Sequence, residues 1–246
     1  MTERRVALVT GASRGIGAAV AARFASEGWD LTISARGVDA LEERAQALRA
    51  HGGRVLAVPA DMSDEEAVAA LAVRHLEEYG RTDALILNAG MGSMGAFADF
   101  PARRLDKLYQ VNVRAPFQLT QALLESMKLT VSKTVGAKVL AISSITGVYP
   151  EPDLFAYGST KAALISMCET FNLEQSVHGV SATSICPGYV DTDMSEWTKG
   201  EDAIPADEMI TGDDIAHLAY SVTGLSRWAV LPQAIVTRPG TNMHRA

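Results

Sequence analysis

Val6–Phe24 reads VALVTGASRGIGAAVAARF, and its interpretation decides the fold. Val6–Val9 is a β-branched and aliphatic run of the kind that forms a buried strand. Thr10-Gly11-Ala12-Ser13-Arg14-Gly15-Ile16-Gly17 follows at once, and an Ala-rich helical pattern comes next. Strand, glycine turn and helix are the context of a phosphate-binding loop. Glycine permits positive φ and close backbone approach. The helix that starts at the turn directs free N–H groups and a partial positive charge into it. The ligand expected there is a pyrophosphate. The spacing is G-x-x-x-G-x-G rather than the commoner G-x-G-x-x-G. Alone, three glycines could equally form a plain tight turn. The position between strand and helix is what points to a dinucleotide.

The same alternation continues outward from this stretch. Strands are expected near 5–9, 29–34, 54–59, 83–87, 137–142, 181–186 and 232–237. Helices are expected near 15–27, 38–50, 64–79, 102–129, 157–178 and 213–222. Repeated β-α units make an α/β chain with a mostly parallel, seven-stranded sheet and helices on both faces. Right-handed crossovers give a doubly wound arrangement whose switch point lies at the first strand. Residues 1–246 read as one dinucleotide-binding domain. The least regular segment, Tyr189–Gly212, contains Gly200 and Pro205 and is expected to be a substrate lid.

Composition bounds the function. Of 246 residues, 48% are hydrophobic, enough for a sizeable core in one large domain. The net charge of −7 argues against a nucleic-acid surface. No apolar run is long enough to span a membrane, and the first residues lead straight into a strand without a signal-peptide core. Cys168 and Cys186 form no C-x-x-C and read as small buried side chains in a reducing compartment. The expected location is cytoplasmic. His51, His75, His178, His217 and His244 share no ligand spacing, so no metal site is proposed.

The second strand indicates which dinucleotide. In folds of this kind an acid at its end holds the ribose 2′-hydroxyl of NAD. Here it ends Ile33-Ser34-Ala35-Arg36, with no carboxylate. Arg36 stands where the acid would be, and Arg14 lies within the glycine turn. Two guanidinium groups suit a 2′-phosphate, which favours NADP(H) over NAD(H). Asp61, followed by Met62, lies just after the third strand. It is placed to accept from an adenine amino group or to cap the next helix.

Tyr157 and Lys161 are spaced i, i+4 on one helical face. A phenol ordinarily titrates near 10, and a nearby ammonium would lower that value. Thirteen residues before Tyr157 is Ser144, at the carboxyl end of the fifth strand, where open α/β sheets place their sites. Its hydroxyl could hydrogen-bond a substrate carbonyl.

With these residues in view, the sequence resembles the short-chain dehydrogenase/reductase family in its common single-domain, Rossmann-fold form. The resemblance runs through Thr10–Gly17, Asn88-Ala89-Gly90, Asn112 in Val111-Asn112-Val113, Ser144, Tyr157, Lys161, and Pro187-Gly188 followed by Thr192. It implies Tyr157 as general acid/base and Ser144 as the group that polarises the carbonyl. It implies that Lys161 holds the nicotinamide ribose and depresses the Tyr157 pKa, and that Asn112 holds a water of a proton relay. Thr192 would contact the carboxamide, with Pro187, Gly188 and Val190 framing the ring. Gly11, Ser13, Arg14, Gly15, Ile16 and Gly17 would hold the pyrophosphate. Three departures stand out: Leu87 in place of a first asparagine, a long connection at Leu129–Ala137, and a C-terminal Leu231–Gly240 without Asp-Gly-Gly.

The implied reaction is hydride transfer between a nicotinamide and a ketone, aldehyde or alcohol. Met91, Met94, Ile145 to Phe155, Tyr189, Met194 and Trp197 suggest an apolar or aromatic substrate. Glu151 and Asp153 could place a carboxylate near the mouth and disfavour anionic substrates, or could simply be solvated loop residues. A 3-oxoacyl thioester reductase is the alternative enzyme, with Arg103, Arg104, Lys128 and Lys133 facing an acyl-carrier protein or merely water. A non-catalytic NADP-binding sensor is the alternative from another class. The resemblance implies a homo-oligomer, dimeric through the helices expected at 102–129 and 157–178.

Overall fold

All five residues of β1 (Val6–Thr10) are buried, because strands flank it on both edges and helices cover both faces. In the computed structural model, which describes residues 4–194 and 204–240, the chain continues through α1 (Gly15–Ser26), β2 (Asp30–Ala35), α2 (Val38–Arg49), β3 (Val55–Pro59), α3 (Glu65–Tyr79) and β4 (Ala84–Leu87). It then forms α4 (Ala102–Tyr109), α5 (Ala115–Thr130), β5 (Ala137–Ile142), α6 (Phe155–Gln175), β6 (Val180–Pro187), α7 (Gly212–Thr223) and β7 (Gln233–Val236). The strand order is β3-β2-β1-β4-β5-β6-β7, and every pairing is parallel. The order reverses at β1, as the first glycine turn predicts.

Alternation along each strand builds two cores, since successive side chains point to opposite faces. Val9 and Ile33 meet Phe24, Leu41 and Ile215 on the side of α1, α2 and α7. Leu8 and Leu85 meet Leu71, Leu119 and Leu164 on the side of α3, α5 and α6.

The helix expected over 102–129 is interrupted. Between α4 and α5 lies a π-type segment, Gln110–Arg114. Pro116 explains the irregularity: it has no N–H to give the carbonyl of Asn112, four residues back. The Ala115 N–H reaches back to Gln110 instead. Such bulges are frequent at functional sites. The helix expected to open at Tyr157 opens at Phe155, within the usual scatter of helix ends. β7 starts after Pro232, whose carbonyl accepts from Ser184 N at 3.0 Å while its ring needs no donor at the sheet edge.

Candidate active site

The carboxyl ends of the strands open onto a cleft of about 1180 Å3. One wall is the glycine turn. Gly11 has φ +66°, and a side chain there would meet Asn88 Nδ2 at 2.7 Å and the Ala89 Cα at 2.9 Å. Asn88 uses its amide to brace that turn, donating to the carbonyls of Thr10 at 3.0 Å and Gly11 at 3.1 Å. Thr10 Oγ1 accepts from the N–H groups of Asn88 and Ala89, both at 3.0 Å. Gly11, Ser13, Gly15, Ile16, Asn88, Ala89 and Gly90 all reach the cleft wall. Gly17 does not line the cleft; its lack of a side chain lets α1 sit against Gly11 and Asn88.

Arg14 occupies the N-cap position of α1, with no side-chain cap and no acid in the first turn. The first N–H groups of α1 therefore lack the usual internal acceptor at the edge of the cleft. That fits a pyrophosphate.

The end of the cleft beside β2 and β3 is more basic than the sequence suggests. Arg36, Asp61 and Met62 line it, together with Lys107 from α4, which sequence reasoning missed. Lys107 carried no signal, because one cation on an amphipathic helix resembles any solvated one. Asp61 accepts from Ser63 N and Oγ, both at 2.8 Å, and these bonds hold its carboxyl below its ordinary range. Arg36 and Lys107 add to that effect. The helix cap is not Asp61 but Asp64, which accepts from Glu66 N and Ala67 N. Arg14 Nη1 pairs with Asp193 at 2.7 Å, both largely exposed, so this guanidinium is engaged by the segment that follows β6. Arg36 makes no ion pair or hydrogen bond among the described residues.

At the other end of the cleft the structure brings Ser144, Tyr157 and Lys161 together, and all three are buried. Gly147 makes this possible. A side chain there would come within 2.8 Å of the Lys161 carbonyl carbon, so only glycine lets the turn Ile145–Gly147 lie on α6. Ser144 Oγ accepts from Thr146 N at 3.2 Å and from Thr146 Oγ1 at 2.9 Å. A hydroxyl has two lone pairs and one proton. With both lone pairs engaged, the Ser144 proton is the group left to give. It goes to the Tyr157 oxygen, and this bond lowers the phenol pKa. Thr146 was missed as a site residue, although its position two residues after Ser144 is the spacing of a local hydroxyl turn.

Burial raises the Tyr157 pKa to about 12, and the Ser144 bond offsets only part of that rise. Lys161 does not supply the expected depression. Its ammonium donates to the Ile142 carbonyl at 2.8 Å and lies 5.6 Å from the centre of the phenol ring. Burial lowers its own pKa to about 8. In this arrangement burial favours the neutral form of Tyr157.

Asn112 lies behind the cleft wall rather than on it. Its Oδ1 accepts from Met91 N at 2.8 Å, and its Nδ2 donates to Met91 O at 2.9 Å and Thr160 Oγ1 at 3.0 Å. The side chain is a clamp on the Met91 backbone. Any water of a relay would be left the second lone pair of Oδ1 or the main-chain carbonyl that Pro116 deprives of its donor.

Pro187, Gly188, Val190 and Thr192 line the cleft between its two ends, and Thr192 packs its methyl group against Gly15. Met91, Ile145, Leu154, Tyr189 and Met194 form the outer wall. Met94 and Phe155 do not reach it; Phe155 stacks on Phe97 and Phe100. Trp197, Gly200 and His244 lie outside the described residues. Among the described residues no cluster of three His, Cys, Asp or Glu could hold a metal, and no helix is long and apolar enough to cross a membrane.

The parallel sheet, its switch point at β1 and the cleft there have the form of a dinucleotide-binding α/β domain. A family model for short chain dehydrogenases matches residues 5–202. The chain belongs to the short-chain dehydrogenase/reductase family. Oxidoreductase UcpA of Salmonella typhimurium is 35% identical over 193 residues, covering 78% of this chain and 72% of UcpA. An alcohol dehydrogenase from Thermococcus sibiricus, solved with 5-hydroxy-NADP, superposes with a TM-score of 0.87 at 29% identity, covering 98% of both chains. A 3-oxoacyl-[acyl-carrier protein] reductase from Brucella melitensis, solved with NAD, superposes with a TM-score of 0.85 at 28% identity, covering 96% of both chains.

Proposed function

We propose that this protein interconverts a ketone or aldehyde and an alcohol, with NADP(H) as cofactor and Tyr157 as general acid/base. The observation that carries this reading is the Ser144–Tyr157–Lys161 group, buried in the same cleft as the uncapped start of α1. The nicotinamide, when bound, supplies or takes the hydride. The chain supplies the rest. First-turn N–H groups of α1 hold the pyrophosphate, and Arg36 with Lys107 favours a 2′-phosphate where no acid stands. Lys161 holds ribose hydroxyls. Tyr157 gives its proton to the substrate oxygen, and the Ser144 proton turns from the Tyr157 oxygen to hydrogen-bond the same substrate atom. Burial keeps the Tyr157 phenol in its protonated form, so the proton that reduction requires is already on it, which supports reduction as the working direction.

Residues 1–246 act as one domain, and the segment near 189–212 covers the substrate. Exposed Phe117, Leu129 and Leu173 on α5 and α6 support a homodimer through those helices, in a cytoplasmic enzyme. Light scattering is expected to give twice the 26.2 kDa chain mass or a multiple of it; a monomer would refute this interface. The activity is tested with Tyr157→Phe. Turnover should fall by roughly two to four orders of magnitude, with NADPH affinity within about twofold of the parent. Undiminished turnover would remove Tyr157 from the reaction.

A further inference from the structure

Glu151 is the charged side chain that the outer, substrate-facing wall contributes to the cleft. The other charged groups of the wall belong to the cofactor end or to the ribose-holding Lys161: Arg14, Arg36, Asp61, Lys107 and Asp193. The Glu151 carboxylate is partly buried, and it makes no hydrogen bond or ion pair among the described residues. Burial accordingly holds its carboxyl above the usual range. Tyr189 is near enough for the carboxylate to raise its phenol further, after burial.

The backbone that carries Glu151 is held on several sides. Tyr149 N donates to Ile145 O at 2.8 Å, Leu154 N to Glu151 O at 3.3 Å, and Gly95 N to Asp153 O at 2.9 Å. Asp153 sits at φ +62°, a conformation that aspartate tolerates better than most residues but that the surroundings must enforce. The same stretch leads directly into α6 and Tyr157 through the bond from Gly158 N to Leu154 O at 2.7 Å. Glu151 is thus fixed relative to the reacting oxygen.

A partly buried carboxylate without a partner is costly unless something donates to it. Resting on the oxidoreductase reading above, we propose that Glu151 selects the substrate class. The substrate is a carbonyl compound or alcohol that carries, away from the reacting carbon, a hydroxyl or ammonium group, and that group donates to Glu151. Met91, Ile145, Leu154 and Met194 hold the apolar body between the two polar ends. A carboxylate on the substrate is disfavoured, because it would face Glu151, and Arg238, the cation that acts on Tyr189, does not line the cleft.

The test uses the full chain and matched acetophenones substituted at the meta or para position with methyl, hydroxymethyl, ammoniomethyl or carboxylate. Oxidation of NADPH reports kcat/KM, and calorimetry on the NADPH-loaded protein reports binding. The parent should favour hydroxymethyl and ammoniomethyl over methyl by at least about tenfold in one positional series, with carboxylate last. Glu151→Gln should keep the hydroxymethyl preference and lose the ammoniomethyl one. Glu151→Leu should lose both. Ranks unchanged by either variant, with turnover intact, would overturn this inference and leave the oxidoreductase reading standing. Ranked, Glu151-dependent binding without turnover would uphold the inference and overturn the reaction. Neither turnover nor ranked binding would overturn both.

Discussion

Thr146 gives the sharpest test of how the proton donor is set. Its hydroxyl donates to Ser144 Oγ at 2.9 Å and its N–H to the same atom at 3.2 Å. Thr146→Val keeps the shape and the N–H but removes the hydroxyl. One lone pair of Ser144 is then free, and its proton is no longer restricted to the Tyr157 side. A neutral hydrogen bond contributes about 1 kcal/mol net, so kcat/KM should fall about fivefold. Ser144→Ala removes the donor itself and should cost about 3 kcal/mol, on the scale of one oxyanion donor. The two effects are not independent. If Thr146 acts through Ser144, the double variant should be no slower than Ser144→Ala, and the coupling should equal the whole cost of Thr146→Val. Thr146→Ser, which restores a donor, should recover most of the rate. Steady-state kinetics on the four proteins of the cycle decides the matter. A fivefold loss in both backgrounds would refute the reasoning and make Thr146 a packing residue.

Two further outcomes follow from Arg36 and His75. Arg36→Asp places an acid at the end of β2 and removes a guanidinium; the kcat/KM ratio for NADPH over NADH should fall by roughly two orders of magnitude, and an unchanged ratio would remove Arg36 from cofactor choice. His75 is fully buried between Thr32 Oγ1 at 2.8 Å and Thr82 Oγ1 at 2.9 Å, and burial lowers its pKa from 6.5 to about 4. The unfolded chain therefore binds this proton more readily, and its contribution is present above pH 6.5 and lost as pH falls toward 4. Urea unfolding should show the parent losing about 2 kcal/mol more than His75→Gln between pH 7 and pH 4.5; parallel losses would contradict a neutral buried imidazole.

Much of the architecture is local in origin, and for that reason legible in the chain. β1, the glycine turn and α1 need only a four-residue aliphatic run, glycines where φ is positive, and an Ala-rich helix. Leu8 and Val9 point to opposite cores because alternation is a property of any strand. Tyr157 and Lys161 share a face because helical spacing puts them there. The break in the long helix was also written locally, in Pro116, but its consequence depends on Met91 and Thr160 waiting to receive Asn112.

What the sequence by itself determined is the set of elements and their order, since hydrophobic period, glycine and proline act over a few residues. Only the tertiary structure decided the state of the chemical groups. The phenol is raised rather than lowered because burial outweighs Ser144 and because the Lys161 ammonium is turned to the Ile142 carbonyl. Lys107 joins Arg36, and Asp193 engages Arg14, across distances in sequence that no spacing rule connects. Charge and desolvation depend on everything within several ångströms, and that neighbourhood exists only once the chain has folded.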